Sequence, residues 1–165
     1  VHEVRQTFPA PRVDDVPAKV RAELARLGLA EKIKPGMTVA LTAGSRGVSN
    51  IALILRTVAE ELRRMGAEPF VVPTMGSHGG AHAEGQVGIL SSLNVTEEYI
   101  GAPIRASMEV EQVGTTSTGI PVYVDKHACS ADGIIVVNRV KPIGRERNHR
   151  RVKSSPMDFF RQAES

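Results

Sequence analysis

The 165-residue sequence has a single cysteine, no tryptophan and only 4% aromatic residues. Cys129 alone excludes an intrachain disulfide and a cysteine-only metal site, and a reducing compartment suits such a chain. With so few rings, the core must be built from aliphatic side chains. No run approaches the ~18 to 20 apolar residues needed to cross a bilayer, and the opening VHEVRQTFPAPRVDD lacks the apolar segment of a signal peptide. The expectation is a cytoplasmic protein without a membrane partner.

What is present fits one globular domain. Hydrophobic residues make up 41% and charged residues 24% of the chain, and a chain of this length buries roughly two-thirds of its unfolded surface. The net charge of +3 is unevenly placed: residues 1–138 carry 13 Lys and Arg against 15 Asp and Glu, whereas residues 139–165 carry 8 against 3. The basicity belongs to the tail RVKPIGRERNHRRVK, which has no interleaved aromatic residue for base stacking. A nucleic-acid partner is therefore not expected.

Periodicity along the chain gives an α/β pattern. DDVPAKVRAELARLGL places Val16, Val20, Leu24 and Leu27 at helical spacing behind an acidic start. KPGMTVALTAGSRG reads as a turn, a strand over Thr38 to Thr42, and a glycine-bearing loop. A helix from about Ser49 to Met65, stopped by Gly66, leads to the strand PFVVP, completing a βαβ unit with parallel strands. The loops at Gly44 to Gly47 and Gly76 to Gly80 should then leave the same sheet edge, where open α/β sheets bind ligands.

AEGQVGILSSLNV is read as a further helix weakened by Gly85 and Gly88, and TEEYIG as a helical turn. SMEVEQVGTTSTGIPVYVDK alternates about a Gly/Thr/Ser turn and reads as an antiparallel hairpin. ADGIIVVNRVKP is a continuous apolar run suited to a central strand. The fold class is thus a Rossmann-like, mostly parallel sheet flanked by helices, with an added hairpin. The segment from residue 143 onward shows almost no apolar periodicity before Met157, Phe159 and Phe160, and reads as loosely ordered or dependent on a partner.

Two loops carry the candidate chemistry. In AGSRGVSN, Ser45, the guanidinium of Arg46 and backbone amides at a helix start can converge on a phosphate or carboxylate; a tight βα turn with an exposed arginine is the plain alternative. The spacing is neither a P-loop nor the dinucleotide fingerprint. In MGSHGG, flanking glycines let the backbone approach a ligand while His78 can exchange a proton near neutral pH; the alternative is a turn with a surface histidine. His78 and His82 have a metal-pair spacing but no evident third ligand. His127 lies beside Asp125, Lys126 and Cys129 and reads as a loop residue. Arg139 and Lys141, at the end of the last strand, either add positive charge to the same edge or are solvated.

GSRGVSNIALIL, PFVVPTMGSHGGAHAEGQ, GIPVYVDKHA and ADGIIVVNRVKP together resemble the N-terminal domain of the nickel-dependent lactate racemase family, more closely its uncharacterised relatives than the lactate racemases themselves. The resemblance covers residues 1–142 and implies a Rossmann-like domain forming one wall of a cleft, with a second domain supplying the other. It implies a nickel-pincer nucleotide cofactor, tethered to a lysine, that takes hydride from the α-carbon of a 2-hydroxy acid and returns it. By motif, His78 is the implied proton-transfer residue, and Ser45, Arg46, Gly47, Gly76, Ser77 and Lys141 are implied in gripping cofactor or substrate anions. No metal ligand is assigned within the chain.

The sequence departs from that pattern after Pro142. Relatives continue KPH where this chain has KPI, so Ile143 stands where a second functional histidine is expected, and an alkyl group cannot carry a proton. Lys153 lies in surroundings that do not match the cofactor-tethering lysine. Residues 143–165 are read as a divergent basic tail, with the family's C-terminal domain missing from the sequence; a truncated paralogue, a shifted reading frame and a divergent protein with a new role all remain open. The expected function is a 2-hydroxy-acid racemase-like isomerase domain, inactive alone because half a cleft does not exclude water. The competing expectation is a non-catalytic anion- or nucleotide-binding module, or one that associates with itself or with a complementary C-terminal domain through an apolar cleft wall.

Overall fold

The computed structural model describes residues 12–45 and 47–139, together with the backbone of residues 159–160. Arg46, Lys141, Ile143 and Lys153 lie outside the described residues.

The first element is helix α1, Val16–Arg26, where Asp15 accepts a 2.9 Å hydrogen bond from the Ala18 amide and Pro17 occupies the first turn. These are features that start a helix, because the first amides lack intrahelical acceptors and proline has none to lose. Val20 and Leu24 are buried. Residues Leu29–Lys32 form the single turn α2. Strand β1, Thr38–Ala43, is followed by helix α3, Ile51–Arg64, and strand β2, Glu68–Pro73. As expected, α3 stops at Gly66, whose φ of +88° lets the Ala67 amide bond back to the Leu62 carbonyl at 3.0 Å.

β1 and β2 pair in parallel from Thr38 opposite Glu68 to Ala43 opposite Pro73. On the other side of β1 lies β5, Gly133–Ile135, also parallel, with Val39 opposite Gly133. The residues before β5 form helix α4 (Ala83–Ser92), turn α5 (Glu97–Ile100), a hairpin of β3 (Val110–Thr115) and β4 (Pro121–Asp125), and turn α6 (Lys126–Cys129). The sheet order is β2-β1-β5-β6, where β6 is Phe159–Phe160, antiparallel to β5. ADGIIVVNRVKP therefore supplies an internal strand, but a ladder of only three residues.

Alternation along the strands divides the core. Val39, Leu41, Ala43 and Val71 pack with residues from α1 and α3, including Leu24, Leu55, Val58 and Leu62. Ala40, Phe70 and Val72, on the opposite face, pack with Ala128 and Ala131. The aliphatic core anticipated from the scarcity of rings is present, and each large side chain fully buried in it contributes roughly 1.5–3 kcal/mol. The hairpin is antiparallel, with a register shift between Gln112 and Gly114. It leaves Met108, Val110, Val113, Ile120, Val122 and Tyr123 exposed.

At the end of the sheet opposite the candidate loops, Asp132 accepts hydrogen bonds from the Thr38 amide at 2.8 Å and the Thr38 hydroxyl at 2.9 Å. These bonds, the amide first, hold the Asp132 carboxyl below its ordinary value. A carboxyl lowered on folding contributes stability that is complete above its unfolded-state value and disappears as pH falls through the folded one. Asp132→Asn is expected to flatten part of the decline in thermal midpoint below the ordinary carboxylate range, measured by circular dichroism melts across acid pH. An unchanged decline would remove Asp132 from the set of acid-sensitive contacts.

Candidate functional site

The parallel pairing of β1, β2 and β5 brings three chain segments to one edge. The Thr74 amide donates to the Ala43 carbonyl at 2.8 Å, carrying the β1–β2 contact one step beyond the strands. On the other side, the Val137 amide donates to the Thr42 hydroxyl at 2.9 Å in a buried position. The segments beginning at Gly44, Thr74 and Asn138 therefore leave the sheet from tied starting points.

Across this edge the Ser45 hydroxyl and Nδ1 of His78 are 2.5 Å apart. Both residues are half-buried. The hydroxyl can donate to a bare Nδ1 or accept from a protonated one, so the pair persists through a change of imidazole charge. His78 opens a 3-10 turn, His78–Ala81, in which Gly79 and Gly80 have φ of +71° and +74°. Only glycine enters that region without strain. Below the turn, the side-chain amide of Gln86, which is buried, donates to the Gly76 carbonyl at 2.8 Å and ties the loop to α4.

The loop also packs its backbone directly on α4. A Cβ placed on Gly85 would lie 1.8 Å from the Gly79 carbonyl oxygen, and one on Gly79 would lie 2.4 Å from the Gly85 carbonyl carbon. Gly85 thus has a role the sequence reading did not give it, since a helical glycine is ordinarily a weakness. Gly44 and Gly76 differ: a Cβ on either meets none of the described residues within 4 Å. Among the described residues, the space beside Gly44 and Gly76 is open.

The remaining candidates are distributed as follows. Gly47 has a φ of +81°, and a Cβ there would lie 3.0 Å from Cδ and 3.1 Å from Nη1 of Arg139. Ser77 is exposed, and its carbonyl accepts the Ala81 amide at 3.2 Å. Thus Ser45, Gly47, Gly76, Ser77 and His78 share one edge, with Arg139 reaching the same loop; Arg46 and Lys141 are outside the described residues. His82 does not pair with His78 as a ligand: its Nδ1 accepts the Gly85 amide at 3.0 Å and caps α4. No group of three or more His, Cys, Asp and Glu able to hold a metal ion occurs among the described residues.

His127 lies in the α6 turn rather than a loop. Asp125 caps that turn by accepting the amides of His127 and Ala128 at 2.9 and 3.0 Å. The aspartate preceding LysHisAla was the available signal, because Asp is a preferred N-cap. Gln86 and Gly85 carried no such signal; their roles depend on a loop folding back onto their helix. Among the described residues, no helix is long and apolar enough to cross a membrane.

Residues 10–143 match the family described as lactate racemase N-terminal domain. Neither a curated protein nor a solved structure matches the chain. The match spans most of the sequence, including both loops at the sheet edge, and the chain therefore belongs to the lactate racemase N-terminal domain family.

Proposed function

We propose that this chain forms one wall of a 2-hydroxy-acid racemase-type site, in which His78 exchanges the proton of the substrate hydroxyl. The observation that carries the reading is the 2.5 Å contact between the Ser45 hydroxyl and Nδ1 of His78. With Nδ1 held, Nε2 is the ring atom assigned to the substrate. Taking the proton at Nε2 requires Nδ1 to carry the ring hydrogen, so the Ser45 hydroxyl accepts from Nδ1 before and after the transfer and fixes the plane and tautomer of the imidazole.

The donor set also bears on the family's nickel-pincer nucleotide. One imidazole and one hydroxyl are too few to hold a bare divalent ion, since protein metal sites ordinarily use three or four ligands. They fit a cofactor whose own atoms carry the metal and whose anionic groups rest on the loops. Ser45 and the backbone at Gly47, Gly76 and Ser77 would hold those groups, with Arg46 and Lys141 adding charge, and the space that the described residues leave beside Gly44 and Gly76 would give them room. When bound, the cofactor supplies a reversible hydride acceptor. The chain's own part is to orient the hydroxy acid and to move its proton.

Elemental analysis for nickel and an absorbance scan test this reading on protein made in a nickel-replete host that synthesises the cofactor. Bound nickel with a chromophore, and interconversion of lactate enantiomers once a C-terminal domain closes the cleft, are the expected results. Nickel-free, colourless protein that still binds phosphate-bearing nucleotides would replace the reading with a non-catalytic binding module. The exposed apolar side chains of the β3–β4 hairpin support a second reading, association with another subunit, because a free two-stranded hairpin is at best marginally stable in water. Light scattering across a concentration series should then show a species larger than one chain.

A further inference from the structure

The sheet edge holds a guanidinium that the proposed proton transfer does not use. Arg139 follows β5, and its segment is tied to β1 by the bond from the Val137 amide to the buried Thr42 hydroxyl, while the Arg139 amide bonds to Oδ1 of its neighbour Asn138 at 2.7 Å. From there its side chain crosses to the loop after β1 and lies on Gly47, where the distances of 3.0 and 3.1 Å from a notional Cβ leave space for hydrogen only. Gly47 is two residues from Ser45, which touches His78. Among the described residues, no carboxylate forms an ion pair with Arg139.

Arg21, Arg26, Arg56 and Arg64 are paired with glutamates, whereas Arg63 forms no ion pair among the described residues and, like Arg139, lies against a left-handed glycine, Gly101. What sets Arg139 apart is its place: its guanidinium lies over the left-handed Gly47, next to the hydroxyl–imidazole pair, with no anion from the described residues to match it. A guanidinium presents a planar fork suited to two parallel hydrogen bonds with an oxyanion.

We propose that Arg139 is an oxyanion-binding residue of this site, gripping a carboxylate or phosphate from the β5 side while His78 faces it from the β2 side. The inference rests on the proposed function only in its choice of ligand. The same fork accepts the carboxylate of a 2-hydroxy acid or a phosphate of a nucleotide, and separate titrations distinguish these sources.

Binding of lactate and of inorganic phosphate is measured by calorimetry or chemical-shift titration on the full chain, with wild type, Arg139→Gln, Arg139→Lys and the distant control Arg26→Gln. Arg139→Gln should weaken at least one of the two anions about 10-fold or more, as expected when a charge-assisted hydrogen bond is removed. Arg139→Lys should fall between it and wild type, because the charge remains and the fork is lost. Arg26→Gln should bind as wild type does. The anion that loses affinity identifies the source, and loss of both supports the shared chemistry. Because Arg139 is exposed, its replacement leaves the core intact, as a melt will verify. Wild-type affinity in Arg139→Gln, or no binding of either anion by the wild-type chain, overturns the proposal. Arg139-dependent binding in a chain without nickel or racemisation would support this inference while rejecting the function proposed above.

Discussion

Gly85→Ala should destabilise the protein by about 2–4 kcal/mol, whereas Gly88→Ala, one turn along the same helix, should stabilise it by roughly 0.5–1 kcal/mol. Intrinsic propensity alone assigns both substitutions the same favourable sign. The difference arises from the loop that carries His78. A Cβ at Gly85 would sit 1.8 Å from the Gly79 carbonyl oxygen, while one at Gly88 meets none of the described residues within 4 Å. Neither partner can yield, because both contacts are backbone. Gly79 is already left-handed, and the buried Gln86 anchors the same loop through the Gly76 carbonyl. Denaturant melts of the two variants measure the contrast directly. If Gly85→Ala melts like Gly88→Ala, the loop does not pack on α4 as described.

The second large effect is on chemistry. Wherever the chain supports interconversion of a 2-hydroxy acid, His78→Ala should lower kcat by about 10²- to 10⁴-fold, the usual contribution of a positioned acid–base group. Binding of lactate or phosphate should change little, because the anion grip is assigned to Arg139, the Ser45 hydroxyl and backbone groups rather than to the imidazole. Single-substrate kinetics and an anion titration on the same preparation separate these quantities. Turnover that survives in His78→Ala would remove the imidazole from the proton path.

Much of this architecture was legible from periodicity. The helix over Val16, Val20 and Leu24, the βαβ unit, the stop at Gly66 and the hairpin each follow from a repeat of 3.6 or 2 residues bounded by a capping or turn residue. Parallel pairing then dictates that the loops after β1 and β2 leave the same edge, so their neighbourhood could be anticipated without coordinates. The terminal residues were less exact: α3 begins at Ile51 rather than Ser49, and β1 extends to Ala43.

The contacts within the site were less accessible, since they join residues far apart in sequence. That the Ser45 hydroxyl meets His78, rather than only an external anion, depends on the paths of two loops 33 residues apart. Gly85 looked like a weak point in a helix because sequence records a missing side chain but not the carbonyl that fills its place. Arg139 looked like one of two charges at a strand end, and only the conformation of Gly47 shows where its side chain lies. His82 is a helix cap because the helix starts after the glycines, a boundary that spacing alone does not fix.

The central claim is that the loops after β1 and β2 form one proton-handling site, held together by Ser45 and His78. Long-range proton–nitrogen spectra of the histidine rings test it most directly, with the His78 signals identified by their loss in His78→Ala. Ser45→Ala should move the Nδ1 resonance of His78 by several parts per million and leave the His82 and His127 rings unchanged, and lactate should perturb Nε2 of His78 in the wild-type chain. If the His78 nitrogens resonate at the same positions with and without the Ser45 hydroxyl, the two loops do not share a site.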